Sequence, residues 1–246
     1  MKAIITGMNG TVASFLAEHF AHVTAWDRSR VSPDDVNAVR NFLDAESPDV
    51  IAHLALGSVQ WARLLASECR GRGIRFLFTS TAMVFDHQPD GPHRIDDERT
   101  AKDDYGRSKI VQEDAIRAEL PEPIIARLGW QIGLTRGGNQ MLEALHSMVE
   151  KDGVIRASRR WIPATSFLDD TAAALHELLE RGEGGTFHVD GNAESALTYP
   201  ELVRRLAARV GADWRVEETD DYVHDQRLLD ERLVTVSIAE RLVAPG

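Results

Sequence analysis

The stretch "AIITGMNGTVASFL" (residues 3–16) decides the fold of this 246-residue chain. A short apolar run meets two glycines three apart, Gly7 and Gly10, and the apolar pattern then resumes at helical spacing. A buried first strand that turns tightly into a helix reads this way, and the pattern recurs downstream. Strand-length apolar runs stand at "HVTAWD" (22–27), "DVIAHLAL" (49–56), "IRFLFTST" (74–81), "PIIARLGW" (123–130) and "GTFHVDG" (185–191). Helical patterns fill 11–20, 33–46, 59–70, 105–118, 138–151 and 169–181, the second opened by "SPDD" with Pro33 in its first turn. Continuous apolar strands alternating with helices mean an α/β protein with a parallel sheet covered on both faces.

Beyond residue 190 the pattern changes. "LTYPELVRRLAARVG" (197–211) is an amphipathic helix stopped by Gly211, and the segments of 212–246 are short, charged and mixed. The sequence thus divides into 1–131, with 166–190 returning to it, and a smaller C-terminal α/β lobe made of 132–165 and 191–246.

Composition is that of an ordinary globular protein, 43% hydrophobic and 27% charged. A net charge of −11 without a Lys/Arg-rich block argues against nucleic acid and anionic membranes as partners. Cys69 is the one cysteine, so no internal disulfide forms, and between Glu68 and Arg70 it reads as an incidental thiol. With no leader pattern and no apolar run of membrane-spanning length, the expected location is cytoplasmic. Oligomeric state is not readable from the sequence, and a homodimer is left open.

The glycine turn carries chemistry. Thr6-Gly7-x-x-Gly10-x-x-Ala13 ends a strand and begins a helix, where a backbone without Cβ lets a pyrophosphate approach unpaired N–H groups. Asp27 comes about twenty residues after Gly7, at the spacing of an acid that binds adenine-ribose hydroxyls. Arg28 beside it can hold a 2′-phosphate, so NAD and NADP both stay open. "YGRSK" then places Tyr105 and Lys109 four apart on one helix face. "FLFTSTAMVFD" (76–86) ends a buried strand with Thr79, Ser80 and Thr81, at the carboxyl edge where open α/β sheets bind ligands.

On these residues the chain resembles an extended short-chain dehydrogenase/reductase, and within that group the dTDP-4-dehydrorhamnose reductase family. "TGMNGTVAS" matches its glycine turn, "SPDVIAHLAL" its "RPD-strand-NAAA" segment, and "TSTAMVFD" its "STDYVFDG". "YGRSK" is its Tyr-x-x-x-Lys, "RLGWQIG" its "RTSWVYG", "GTFHVDG" its "GIYHLAG", and "QRLLDERL" its closing "RP…LD…KL". The resemblance implies a Rossmann-type doubly wound parallel sheet with a smaller C-terminal substrate-binding lobe. It implies hydride transfer from NAD(P)H to the ketone of a nucleotide-linked 4-keto-6-deoxysugar or related ketone. Tyr105 would supply the proton, Lys109 would lower the Tyr105 pKa and hold the nicotinamide ribose, and Thr81 would bond the carbonyl oxygen. Cofactor contacts are implied for Gly7, Asn9, Gly10, Thr11, Asp27, Arg28, Leu54, Ala55, Tyr105 and Lys109. Substrate contacts are implied for Thr81, with Ser80 as its stand-in, and for Trp130, Asn139 and Arg227. Core packing for Trp130 and a surface salt bridge for Arg227 are the competing readings.

Departures from the family bear on the substrate. The segment after Leu56 is short, His53 and Leu54 replace Asn and Ala, and Ala82-Met83 replaces Asp-Tyr after Thr81. Two other readings stay open: a nucleotide-sugar epimerase or dehydratase with tightly held NAD, and a non-catalytic cofactor-binding regulator. No metal site is expected. The loop "DHQPDGPHRIDDE" (86–98), with His87 and His93, reads as solvated and as the place for a lid.

Overall fold

The computed structural model describes residues 1–243. In chain order it contains β1 (Lys2–Thr6), α1 (Ala13–Ala17), β2 (His22–Ala25), α2 (Val36–Glu46), β3 (Val50–His53), α3 (Val59–Arg72) and β4 (Arg75–Thr81). Next come α4 (Asp104–Glu119), β5 (Ile124–Leu128), β6 (Trp130–Ile132), α5 (Met141–Asp152), β7 (Ile155–Ser158), β8 (Trp161–Ile162) and β9 (Thr165–Phe167). α6 (Leu168–Arg181), β10 (Gly185–Val189), α7 (Tyr199–Val210), β11 (Val216–Thr219), β12 (His224–Asp225) and α8 (Ile238–Arg241) complete it.

Six strands form one sheet in the order β10-β5-β4-β3-β1-β2. β1 runs parallel to β2 and to β3, and β3 runs parallel to β4. The chain goes from β1 to β2 on one side and to β3 on the other, so the order reverses at β1. Ligands of open α/β sheets bind beyond the strand ends at such a point. The expected α/β sheet is therefore present, and the glycine turn leaves the strand at its switch point.

Local chemistry sets the helix ends. Asp35 caps α2 by accepting from the N–H groups of Asn37 and Ala38, both at 3.0 Å. That helix was expected from Pro33, but the cap starts it at Val36 and leaves Pro33 outside. Ser58 caps α3 through the Trp61 N–H, and Asp103 caps α4 through the Gly106 N–H. α1 is shorter than the 11–20 pattern suggested. Its ends go to turns on both sides, because the glycine turn uses up the first residues.

The chain forms two compact units. The first comprises Met1–Thr81, Asp103–Arg127 and Ala172–Phe187. Its core joins Ile4, Ile51, Phe76, Phe78 and Ile125 of the strands to Leu43, Leu65 and Ile116 of the helices. The second comprises Ala82–Lys102, Leu128–Thr171 and the chain from His188 onward. It holds three two-stranded pairs, β6–β9, β7–β11 and β8–β12, around a core with Ile132, Leu145, Ile155, Phe167, Leu202 and Leu206.

Residues 82–102 fall in the second unit and not, as the sequence division had them, with the first. The cause is a strap. His93 N–H donates to the Arg227 carbonyl at 2.8 Å, and Leu229 N–H to the His93 carbonyl at 2.9 Å. His93 is 3% exposed and stacks on Phe85 at 4.4 Å. Its Nε2 lies 3.0 Å from Nε2 of buried His224, and the Tyr222 hydroxyl lies 3.1 Å from His224 Nδ1. The 86–98 loop is thus anchored at His93 by a buried imidazole pair, while most of the rest of it, 88–90 and 96–98 included, is exposed as expected of a solvated loop.

That pair makes stability pH-dependent. Burial and the neighbouring His93 push His224 down to about 4, and burial lowers His93 from its ordinary 6.5. The unfolded chain takes up these protons near pH 6.5 and the folded chain only at lower pH, so stability falls as pH drops below 6.5. Melting temperatures from pH 7 to 4 should fall more steeply for the wild type than for His224→Gln. Parallel slopes would remove the pair as the source.

Candidate active site

The turn after β1 is shaped by contact with β3. Gly7 has φ +77°, and a Cβ there would lie 2.8 Å from the Ala55 nitrogen and 2.9 Å from its Cα. Gly10 closes the turn by donating to the Gly7 carbonyl at 2.7 Å. Behind it, the Thr6 hydroxyl accepts from the N–H groups of Leu54 (3.1 Å) and Ala55 (3.0 Å) and meets His53 Nδ1 at 2.8 Å. One side chain therefore ties the end of β1 to the end of β3. His53 is fully buried, and burial, with the charges of Lys109 and Arg28, lowers it to about 3. It is a neutral acceptor for the Thr6 hydroxyl. The sequence showed His53 as a departure from the family pattern; the latch with Thr6 was not legible there, since its members lie 47 positions apart.

A cleft of about 730 Å³ opens at this turn, lined by Gly7, Asn9, Gly10, Asp27, Arg28, Leu54 and Ala55 among others. These are seven of the ten residues expected to hold a dinucleotide. Thr11, Tyr105 and Lys109 are not among its lining residues. Asp27 is exposed, and its Oδ1 accepts from the Ser29 hydroxyl (2.6 Å) and N–H (2.9 Å). Those bonds hold its carboxyl below the usual range. The Arg28 guanidinium lies over the Trp61 ring at 5.4 Å. A turn with no room for a Cβ, an acid and a guanidinium at the end of β2, and this volume fit an adenine dinucleotide.

The second cluster is built on β4 and α4. Thr81 ends β4, and its side chain acts on the Tyr105 hydroxyl near the start of α4, lowering its pKa. One turn on, Lys109 is 3% exposed and donates to the Thr79 carbonyl at 2.8 Å. Its ammonium lies 4.5 Å from the Phe78 ring centre and 5.9 Å from that of Tyr105. Burial pushes Lys109 down to about 8, against the opposing pull of Glu113. Tyr105 is held above its ordinary value by burial around the hydroxyl, with Thr81 opposing and Asp103 adding. Lys109 was expected to lower the Tyr105 pKa; here burial and Asp103 outweigh the lowering by Thr81, and the phenol stays neutral.

Ser80 occupies the other face of β4, as strand alternation requires. It helps hold the Glu113 carboxyl low. Glu113 itself was missed. The signal was present in its position four residues after Lys109, which repeats the Tyr105–Lys109 spacing.

In the second unit, Trp130 stacks on Trp161 at 6.2 Å, and Trp161 packs on Tyr199 at 4.6 Å. Trp130 is half-buried, with one side in this aromatic group. Asn139 is exposed ahead of α5. Arg227 is tied to Asp225 by two bonds, 2.9 and 2.7 Å, and donates to the Ala193 carbonyl at 3.0 Å. Its guanidinium serves a local ion pair, the reading set against a phosphate contact in the sequence. Cys69 is buried and its thiol is pushed up by burial, which suits packing and not nucleophilic attack. Among the described residues, no three His, Cys, Asp or Glu side chains group as a metal site, and no helix is long and apolar enough to cross a membrane.

Comparisons with known proteins agree with this architecture. The dTDP-4-dehydrorhamnose reductase of Mycolicibacterium smegmatis is 28% identical over 235 residues, covering 86% of this chain and 70% of that protein. A probable low-salt glycan biosynthesis reductase of Haloferax volcanii is 33% identical over 158 residues, covering 61% of this chain and 50% of its own length. The chain thus spans only half of that relative. Among solved structures, the dTDP-4-dehydrorhamnose reductase of Bacillus anthracis in complex with NADP superposes with a TM-score of 0.79 at 19% identity, covering 98% of this chain and 96% of that one. The Bordetella bronchiseptica enzyme WbmG in complex with NAD and UDP gives 0.71 at 17% identity, covering 98% and 87%. At these identities the superpositions establish the shared fold. The family model described as RmlD substrate binding domain matches residues 58–225, well over half of the sequence, and the chain belongs to that family.

Proposed function

We propose that the chain is an NAD(P)H-dependent oxidoreductase that reduces the ketone of a nucleotide-linked 4-keto-6-deoxysugar. The carrying observation is Tyr105 one helical turn from buried Lys109, which is fixed at the Thr79 carbonyl, with Thr81 acting on the Tyr105 hydroxyl. Two curated relatives named for this chemistry, the Mycolicibacterium reductase and a dTDP-4-keto-6-deoxy-D-glucose reductase of Streptomyces niveus, support the substrate class. The neighbour complexes with NADP and with NAD support either nicotinamide cofactor.

When bound, the reduced nicotinamide supplies the hydride to the carbonyl carbon. Tyr105 gives its phenolic proton to the carbonyl oxygen, and the products are the alcohol and the oxidised cofactor. Held neutral by burial, Tyr105 carries that proton throughout the neutral pH range. Thr81 orients the Tyr105 hydroxyl and stabilises charge growing on the oxygen. Lys109, fixed at the Thr79 carbonyl, keeps a positive charge near the tyrosinate left behind. Gly7, Asn9, Gly10, Leu54 and Ala55 bind the pyrophosphate side of the cofactor, and Asp27 and Arg28 read its ribose. Trp130 and Asn139 are kept in this reading as substrate contacts.

The test is oxidation of NADH and of NADPH, followed by absorbance, with dTDP-4-keto-6-deoxyglucose. Net oxidation with release of the reduced sugar is the expected result. Cofactor bound tightly through purification, with sugar interconversion and no net oxidation, would replace the reductase by an epimerase. Cofactor binding without any turnover would leave a regulator.

A further inference from the structure

α4 carries three polar residues at successive turns on one face, Tyr105, Lys109 and Glu113. Tyr105 and Lys109 belong to the site described above. Glu113 is 0% exposed, deeper than either. Its carboxylate accepts from Arg127 Nε at 3.1 Å and Nη2 at 2.9 Å, and more distantly from Arg117 at 3.4 Å. Arg127, on β5, is itself 2% exposed. Burial works against the Glu113 charge, and Arg127 with Ser80 and Arg117 holds the carboxyl below its ordinary range all the same. A buried, fully ionised pair thus stands one turn beyond the lysine.

Lys109 needs such a neighbour. Its ammonium is buried, and a buried ammonium tends to lose its proton. The groups around it are the Thr79 carbonyl and Phe78 ring of β4, neutral His53 of β3 and Tyr105 on its own helix. None of these carries negative charge at neutral pH. Glu113 does, and it acts to keep the proton on Lys109. Arg127 and Arg117 flank Glu113 and oppose it.

We propose that Glu113 is a positioning residue for the Tyr105–Lys109 pair. Clamped by Arg127, it pins α4 against β4 and β5 and supplies the negative field that keeps Lys109 an ammonium at the Thr79 carbonyl. Arg127 has two effects of opposite sense: it orients Glu113 and takes up part of its charge. This rests on the proposed reductase only for what the ammonium is used for; the electrostatic arrangement can be read without turnover.

The chain has four lysines, Lys2, Lys102, Lys109 and Lys151, so lysine side chains labelled with ¹³C can be titrated individually by NMR in the whole protein. Lys109→Arg identifies the Lys109 signal. Glu113→Gln should move the Lys109 midpoint down by about one pH unit or more, the size of effect a close opposite charge produces. Arg127→Gln should move it up. Loosened packing would admit water after either change and move both midpoints up, so a downward shift in Glu113→Gln separates field from packing. An unchanged or raised midpoint in that variant overturns the proposal. If the unpaired Arg127 prevents folding, the double variant Glu113→Gln/Arg127→Gln, with both charges removed and volumes kept, decides instead. A downward shift is expected there as well, because Glu113 is the charge that acts on Lys109, and no shift or an upward one overturns the proposal. The expected shifts in a protein without ketone reduction would leave this inference standing and remove the reductase. Reduction with no shift would do the reverse.

Discussion

Tyr105→Phe should lower kcat for ketone reduction by about 10² to 10⁴-fold, the range general-acid catalysis contributes. The change removes one hydroxyl, the group on which Thr81 acts. The ring stays, and at 43% exposure it is not a core residue, so the melting temperature should hardly move. Cofactor affinity should be kept, since the cleft at the glycine turn does not include Tyr105. Steady-state rates beside a cofactor titration and a thermal melt check all three. A variant that folds, binds cofactor and still turns over at the wild-type rate would assign the proton to another group. The pH profile adds a sign. Lys109, lowered to about 8, should set the alkaline limb, with activity falling as that ammonium loses its proton.

The second large effect is expected at Gly7→Ala. The added methyl would stand 2.8 Å from the Ala55 nitrogen in a backbone of φ +77°, and both obstacles are main chain, so no rotamer change relieves them. The left-handed conformation alone costs an alanine about 1–2 kcal/mol. The clash must also displace the β1 turn from β3, which opens the Thr6 latch and spoils the cleft. Cofactor affinity should drop by roughly tenfold or more, about 1.4 kcal/mol or above. Gly73→Ala is the control. Gly73 has φ +67° with nothing within 4 Å of an added Cβ, so that variant should lose stability and keep cofactor binding. Trp26 lines the cleft, and its fluorescence gives the binding readout. Equal binding in the two variants would sink the argument that Gly7 is needed for the cleft.

Much of the site was legible because it is local. Gly7 and Gly10, Asp27, Arg28, Thr81, Tyr105 and Lys109 all sit at strand ends or at fixed helical spacing, where chemistry and periodicity coincide. The sheet was legible for the same reason, since apolar runs of strand length show which segments are buried on both faces. What escaped was every polar partnership between distant segments. Glu113 and Arg127 are 14 positions apart, Thr6 and His53 47, and His93 and His224 131. Arg227 differs: a salt bridge was one of its two sequence readings, and only the structure shows that Asp225, two positions away, is its partner.

The amino-acid order by itself determined that this chain forms an α/β sheet whose first strand runs into a tight glycine turn, and that one helix carries Tyr105 and Lys109 four apart. Hydrophobic periodicity and the absence of a Cβ act within a few residues, so no tertiary knowledge is needed to read them. Only the tertiary structure decided that Lys109 is buried against Thr79 with Glu113 acting on it, and that the 86–98 loop is strapped down by His93. Those outcomes depend on strand order, register and desolvation, which bring together groups that carry no mark in sequence of the partner they will meet.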